Sequence, residues 1–275
     1  MELCTDNMRV VKSQLSHCLE LLGLLADQAR GARLTDLAVA LDMPKSSMQR
    51  LLDHLATEGW VEQDAATDHY RLTLRLAVLG QRYLQSAGIA DATQGILERL
   101  ARETRELVRL TVLDRDRLVW IGSAQGAPPG LVYQPSMGQP IVSYATANGK
   151  AWLATLSEEE ASRIALAEGL GDPRAAPLGP RALVTLQGLL ADLAEVRRRG
   201  FAVAEEEAEP GVAAVAVAIR DPLTGRTLGT TSAAGPLMRL PPAERPRIAA
   251  TLAEGARELA RVWPSAARTG RRLAV

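Results

Sequence analysis

The sequence predicts an α+β chain in two parts: a small N-terminal winged helix-turn-helix and, beyond a linking helix, a larger domain in which helices flank a sheet. Three observations predict it. Leucine-rich stretches with helical spacing lie on either side of an Asp42-Met43-Pro44 turn. Two short β runs separated by a polar turn follow directly. From residue 108 to residue 232, β-type runs recur between helical stretches, a pattern that packs helices onto a sheet.

The first helix is read from Leu15, Cys18, Leu19, Leu22 and Leu25, whose spacing makes one apolar face. Gly31 closes that block. Thr35 is expected to cap a second helix that buries Leu37, Ala38 and Leu41. Pro44 turns Met43 away from helix and suits the first position of a third, over residues 44–58. Met48, Leu51, Leu52 and Leu55 face inward there, and Gly59 is the stop. Residues 60–63 and 69–72 are expected strands, with residues 64–68 the turn. Helix, helix, turn, helix and hairpin make a winged helix. A helix over residues 74–87 then links the halves, with Gly88 as its break. The expected division is residues 1–73, a linker at 74–90, and a second domain at 91–275.

In that second domain Asp91 is expected to open a helix carrying Ile96, Leu97 and Leu100. Residues 108–113 and 118–121 read as a hairpin across Asp114-Arg115-Asp116-Arg117. Residues 131–134 and 140–143 are further strand candidates. Residues 146–156 read as helix, and Ser157 followed by Glu160 is a capping box for the next. Leu186, Leu189, Leu190, Leu193 and Val196 mark an amphipathic helix that ends at Gly200. Residues 201–204, 212–219 and 227–232 are the last strands, and residues 242–262 the closing helix. The order suggests a GAF- or profilin-like mixed sheet with flanking helices.

Composition excludes several classes. The chain has 275 residues, of which 47% are hydrophobic and 23% charged, with a formal net charge of zero. That is enough for two cores and far from a disordered or polycationic chain. Two cysteines, Cys4 and Cys18, rule out a disulfide scaffold. The first ten residues carry Glu2 and Asp6 and no apolar stretch, so no signal peptide is expected. No apolar run reaches the ~18 residues of a membrane helix. A cytoplasmic protein without membrane contact is the expectation.

The third helix opens Pro44-Lys45-Ser46-Ser47-Met48-Gln49-Arg50, with no acidic residue up to Leu52. In a helix-turn-helix this helix enters the major groove. Lys45 and Arg50 suit phosphates, Ser46 and Ser47 phosphates or bases, Gln49 adenine and Arg50 guanine. Arg71 on the hairpin can reach the backbone of double-stranded operator DNA. Asp36, Asp42, Asp53, Asp64 and Asp68 weaken a single copy, so a dimer on two half-sites is expected.

These residues carry a resemblance. Leu34-Thr35-Asp36-Leu37-Ala38 through Leu52 resembles the helix-turn-helix of IclR-type regulators, and Tyr70-Arg71-Leu72 with Leu79-Gly80 their wing and linker. Ala145-Thr146-Ala147-Asn148-Gly149-Lys150-Ala151 is similar to the start of their effector-domain helix. Residues 196–201 and 205–212 resemble the late helix and acid-rich loop, and residues 232–236 the final strand. The resemblance spans nearly the whole chain in order. It implies a homodimer or homotetramer and operator binding near a catabolic operon, commonly as a repressor. Control by a small organic or aromatic acid is implied too. This chain departs from the family at Tyr144, where histidine is common, and near Ala214 and Ala234, where polar residues are common. Its pocket is therefore expected to be less polar.

The effector residues follow. Thr146, Ala147 and Asn148 at a helix start and Ser232 at a strand end are the polar candidates, and Leu131, Tyr133, Met137 and Val212 the apolar walls. Lys150 reads as a surface lysine, with a Schiff-base role as the alternative. Glu205-Glu206-Glu207 reads as a solvated acidic loop rather than a metal site. All three histidines, His17, His54 and His69, lie in the N-terminal part. Beyond them only carboxylate or Lys150 chemistry is left to an enzyme, so none is expected, nor any cofactor or metal.

Overall fold

The computed structural model describes residues 13–86, 88–135, 140–175 and 178–263. Cys4, Ala87 and Met137, on which expectations were placed, lie outside them. The chain forms two compact units that divide between Leu84 and Gln85, inside the helix expected to link the halves.

In the first unit, α1 (Gln14–Ala26) starts on Ser13, whose hydroxyl accepts from the Ser16 N–H. Its buried residues are Leu21 and Leu25, while Leu15 and Leu19 are 68% and 62% exposed. The expected apolar stripe is therefore corrected: six leucines on one short helix allow more than one face. α2 (Leu34–Ala40) begins one residue before Thr35, on Arg33 and without a side-chain cap. α3 (Lys45–Thr57) takes Pro44 as N-cap rather than as its first residue, and buries Met48, Leu51, Leu52 and Leu55 as expected. The Met43 N–H to Ala38 carbonyl bond, 2.9 Å, closes the turn between α2 and α3. β1 (Val61–Gln63) and β2 (Tyr70–Leu72) form the antiparallel hairpin, Val61 opposite Leu72. Its turn is held by Asp64 Oδ1, which accepts the Ala66 and Thr67 N–H groups at 2.9 and 3.0 Å. Ala32 and Tyr70 exchange backbone bonds of 3.0 and 2.8 Å, adding a third edge to the wing that the sequence did not reveal. Gly31 permits it: its φ is +71°, and a Cβ there would lie 2.5 Å from the Tyr70 carbonyl oxygen. α4 (Arg75–Ser86) follows and buries none of its residues.

In the second unit, α5 (Ile89–Thr104) starts from a left-handed Gly88, before Asp91. β3 (Leu107–Asp114) and β4 (Arg117–Gln125) make the expected hairpin, longer at both ends. α6 (Ala147–Leu153) is capped by Thr146 and ends earlier than expected. α7 (Glu158–Ala167) carries the complete Ser157–Glu160 capping box. α8 (Leu186–Arg199) stops at a left-handed Gly200. β5 (Ala202–Glu205), β6 (Val212–Arg220), β7 (Thr227–Pro236), a 3₁₀ turn (Leu237–Arg239) and α9 (Arg245–Val262) complete the unit.

The sheet order is β4-β3-β7-β6-β5. The α+β class is as expected, and every pairing is antiparallel, more uniform than a mixed sheet. Residues 131–134 and 140–143 join no strand. Gly130, Pro135 and Pro140 around them explain this, since proline cannot donate to a ladder.

The two sheet faces differ in side-chain size. On one, Val108, Leu110, Val215, Val217 and Ile219 pack against Leu97 and Leu100 of α5 and Leu252 and Leu259 of α9. On the other, Ala202, Ala204 and Ala216 meet Ala147 and Ala151 of α6. The alanine face leaves space, and the cavity described next lies over it.

Candidate functional site

At the start of α3, Lys45, Ser46 and Arg50 are exposed and Ser47 is half-buried. Lys45 and Arg50 form no ion pair with the described residues. The free N–H groups of this 13-residue helix's first turn add positive character at the same place. Gln49 differs from the outward placement expected. Its Nε2 donates to Asp53 Oδ1 at 2.7 Å and to the Tyr70 hydroxyl at 3.2 Å, so it turns toward the hairpin. Arg71 pairs with Glu62 at 2.8 Å across the hairpin; both are half-exposed, a pairing that stabilises little and that a phosphate can replace.

In the second unit, one cavity of about 440 Å³, counting the part open to solvent, lies over the alanine face. Ala204, Ala214, Ser232, Ala234 and Arg109 form its floor. Arg109 stands opposite Ser232 across β3 and β7, and Ala214 opposite Ala234 across β6 and β7. The start of α6 supplies Thr146, Ala147 and Asn148; the loop after β5 supplies Glu207, Ala208 and Glu209, with Val212, Tyr133 and Trp120 completing the wall. Tyr133, Thr146, Ala147, Asn148, Val212 and Ser232, expected from sequence, thus come together. Leu131 does not: it is 64% exposed, and its carbonyl accepts from Arg239 at 2.7 Å.

Two of the expected polar groups are already engaged. Asn148 Nδ2 donates to Thr230 Oγ1 at 2.8 Å, and Thr230 in turn bonds Thr111 at 2.6 Å. Thr146 Oγ1 accepts the Gly149 N–H at 3.1 Å and donates to the Val142 carbonyl at 3.0 Å. Gly149 is small because Ser143 packs against it. A Cβ there would lie 2.2 Å from Ser143 backbone atoms.

Arg109, Trp120, Glu207 and Glu209 were not anticipated. Arg109 is 7% exposed, its guanidinium carbon sits 3.3 Å from the centre of the Trp120 ring, and its Nε has no hydrogen-bond partner. Burial pushes this guanidinium down to about 10, against the pull of Tyr133 and Glu209. The Tyr133 hydroxyl donates to Glu209 Oε1 at 2.9 Å, and burial together with that bond pushes the phenol up. A sequence signal for Arg109 did exist. Strand alternation in Val108-Arg109-Leu110-Thr111 puts Arg109 and Thr111 on the face opposite the valine and leucine.

Lys150 is corrected outright. It is 1% exposed, and its Nζ donates to both Glu207 oxygens at 2.7 and 2.9 Å and lies 3.0 Å from Asp192 Oδ2. Pinned between two carboxylates, it is not presented to a substrate as an amine nucleophile. The acidic loop is corrected with it. Glu205 pairs with Arg181 and Arg245, Glu206 accepts from the Gly211 N–H, and Glu207 holds Lys150. Burial raises the Glu207 carboxyl, opposed chiefly by Lys150. Among the described residues no group of His, Cys, Asp and Glu is arranged to hold a metal ion, and no helix is long and apolar enough to cross a membrane.

Known proteins divide the same way. The IclR helix-turn-helix domain matches residues 14–65, and the bacterial transcriptional regulator IclR C-terminal domain matches residues 81–261. The HTH-type transcriptional regulator XynR of Escherichia coli K12 is 31% identical over 77% of this chain and 81% of its own length. The transcriptional repressor IclR of the same organism is 29% identical over 82% and 81%. A crystal structure of an IclR-type regulator from Alicyclobacillus acidocaldarius matches with a TM-score of 0.77 at 27% identity, covering 90% of this chain and 97% of that one. The chain therefore belongs to the IclR family of bacterial transcriptional regulators, with an N-terminal helix-turn-helix that binds DNA and a C-terminal domain that binds an effector.

Proposed function

We propose that this regulator acts as a homo-oligomer on two operator half-sites, reading DNA with α3, and that a small organic acid in the alanine-floored cavity sets its operator affinity. The cavity carries the reading. It combines methyl-lined space with a few polar groups that are not fully used, the usual make-up of a small-molecule site. The chemistry of the polar groups favours an anion, since an arginine without an ion pair is among them. A neighbour in fold, an IclR homologue from Microbacterium hydrocarbonoxydans, was solved in complex with 4-hydroxybenzoate, at a TM-score of 0.72 and 23% identity. Exposed Leu15 and Leu19 on α1 and Val78 and Leu79 on α4 offer apolar surface for pairing of copies. Zero net charge supports the same conclusion, because one weakly basic helix binds DNA poorly alone. Repression of a catabolic operon, in the cytoplasm, fits the relatives named repressors. An enzyme is disfavoured by the pinned Lys150.

Residues Lys45, Ser46, Ser47, Arg50 and Arg71 form the proposed DNA surface, and Gln49, tied to Asp53 and Tyr70, braces it. Arg50→Ala is expected to weaken operator binding about tenfold or more and to relax the preference at one base pair per half-site. Lys45→Ala is expected to weaken all sequences alike and to flatten the salt dependence by about one counterion per copy. Fluorescence anisotropy on the DNA upstream of the gene, with scrambled competitor and a salt series, separates the two. Unchanged sequence preference in Arg50→Ala removes α3 from the role of reader.

A further inference from the structure

Of the two lysine and arginine side chains that are fully buried among the described residues, Lys150 and Arg109, only Arg109 has no carboxylate partner. Lys150 has Glu207 and Asp192, Arg239 has Glu106 at 2.6 Å, and Arg245 has Glu205. Arg109 has the face of Trp120 and the longer-range pull of Tyr133 and Glu209, but no ion pair, and its Nε is buried without a partner. A buried cation left so is unfavourable unless something completes it. The floor holds no carboxylate to neutralise it: the strand partners of Arg109 are Ser123 and Ser232, and the other floor residues are Ala204, Ala214 and Ala234. The cavity acid that is in no ion pair among the described residues, Glu209, has its Oε1 occupied by the Tyr133 hydroxyl. Arg109 therefore keeps a planar, two-donor edge for an oxygen anion.

The same cavity carries negative charge elsewhere. Glu207 and Glu209 both line it. Glu207 is satisfied by Lys150, whereas Glu209 Oε1 holds a single phenol bond and retains acceptor capacity. A ligand with a second carboxylate would meet these acids with no further cation to neutralise it. A ligand with a hydroxyl or N–H at that end would find an acceptor.

Resting on the effector reading above, we propose that Arg109, stacked on Trp120, is the carboxylate anchor of the cavity, and that Glu209, set by Tyr133, selects monocarboxylates bearing a second hydrogen-bond donor and rejects dicarboxylates.

The test is calorimetry on the full-length protein with two matched sets of probes: benzoate, 4-hydroxybenzoate and terephthalate, and butyrate, 4-hydroxybutyrate and succinate. In at least one set the hydroxy acid should bind tightest and the dicarboxylate weakest. Arg109→Gln should bind that acid about 100-fold more weakly. Its ligand-free melting temperature should be no lower than that of the native protein, since an unpaired buried cation has been removed. Arg109→Lys should recover part of the affinity, charge without the planar edge. Glu209→Gln, which leaves the anchor intact, should narrow the gap between dicarboxylate and hydroxy acid. Unchanged affinity in Arg109→Gln overturns the anchor while leaving an acid effector standing. A native preference for the dicarboxylates overturns the role of Glu209. Failure of the native protein to bind any of the six overturns both this assignment and the reading on which it rests.

Discussion

Replacing Lys150 by alanine is expected to lower the stability of the effector-binding unit by about 3–5 kcal/mol, the usual consequence of removing one partner from a buried ion pair. The loss is large because Lys150 is 1% exposed and faces two carboxylates, Glu207 at 2.7 and 2.9 Å and Asp192 at 3.0 Å. Without the amine the buried Glu207 is left facing the partly exposed Asp192 with no cation between them. The size should depend on pH, and the sign follows from Glu207. Burial already raises its carboxyl in the native protein, with Lys150 as the main opposing pull. In the variant that pull is gone and the carboxyl rises further. A group whose folded value lies above its unfolded one favours the fold while protonated, and that contribution is lost as pH rises through the folded value. The deficit should therefore be greatest near pH 8 and shrink toward pH 5. Thermal melts of native and Lys150→Ala protein across that range check this. Equal melting temperatures at pH 8, or a deficit that does not change with pH, would show that the pair is not the support the distances suggest.

Gly149→Ala, next to it in sequence, is expected to act by a different route and to cost on the order of 3 kcal/mol through overpacking. The new Cβ would stand 2.2 Å from the Cα and carbonyl oxygen of Ser143. Ser143 cannot move aside cheaply. Its N–H and hydroxyl both donate to Glu168, at 2.6 and 2.8 Å. The strain must be relieved by moving the start of α6, which carries Ala147 and Asn148 at the cavity wall and the Asn148–Thr230 bond. Stability and acid binding should fall together. Gly95→Ala in α5 is the control, because nothing lies within 4 Å of a Cβ there. That change should stabilise by about 0.5–1 kcal/mol through helix propensity alone. If Gly149→Ala melts like the control, the contact with Ser143 is not tight and the wall of the cavity is free to adjust.

The elements were largely legible in the sequence, and the reasons are local. α3 was readable because Met48, Leu51, Leu52 and Leu55 fit one helical face and Gly59 ends it. The Ser157–Glu160 cap was readable because both partners lie within one turn. Failures came where local pattern was ambiguous or partners were distant. Leu15 and Leu19 belong to a helix with too many leucines to single out one stripe. Residues 131–134 have strand-like composition, yet they pair with no neighbouring strand; the Tyr133 carbonyl accepts from the Gln125 side chain instead, at 3.1 Å. At the site, the polar residues of one contiguous segment, 146–148, could be named from sequence. Lys150 could not be placed, because its main partner Glu207 is 57 residues away and a lysine is ordinarily solvated. Arg109 was passed over because the missing partner that makes it notable is a property of the folded surroundings alone.

The alternation along β6 has a consequence for how such a protein can change its diet. Residues 213, 215, 217 and 219 are Ala, Val, Val and Ile and face the helices α5 and α9; residues 212, 214, 216 and 218 are Val, Ala, Ala and Ala and face the other way. Neighbouring positions on one strand thus answer to separate demands, one set to the cohesion of the core and the other to the room left over the sheet. Enlarging Ala214 trims the chamber by a methyl or two without disturbing the seam with α9. Chemical taste can drift while the scaffold that transmits it stays the same.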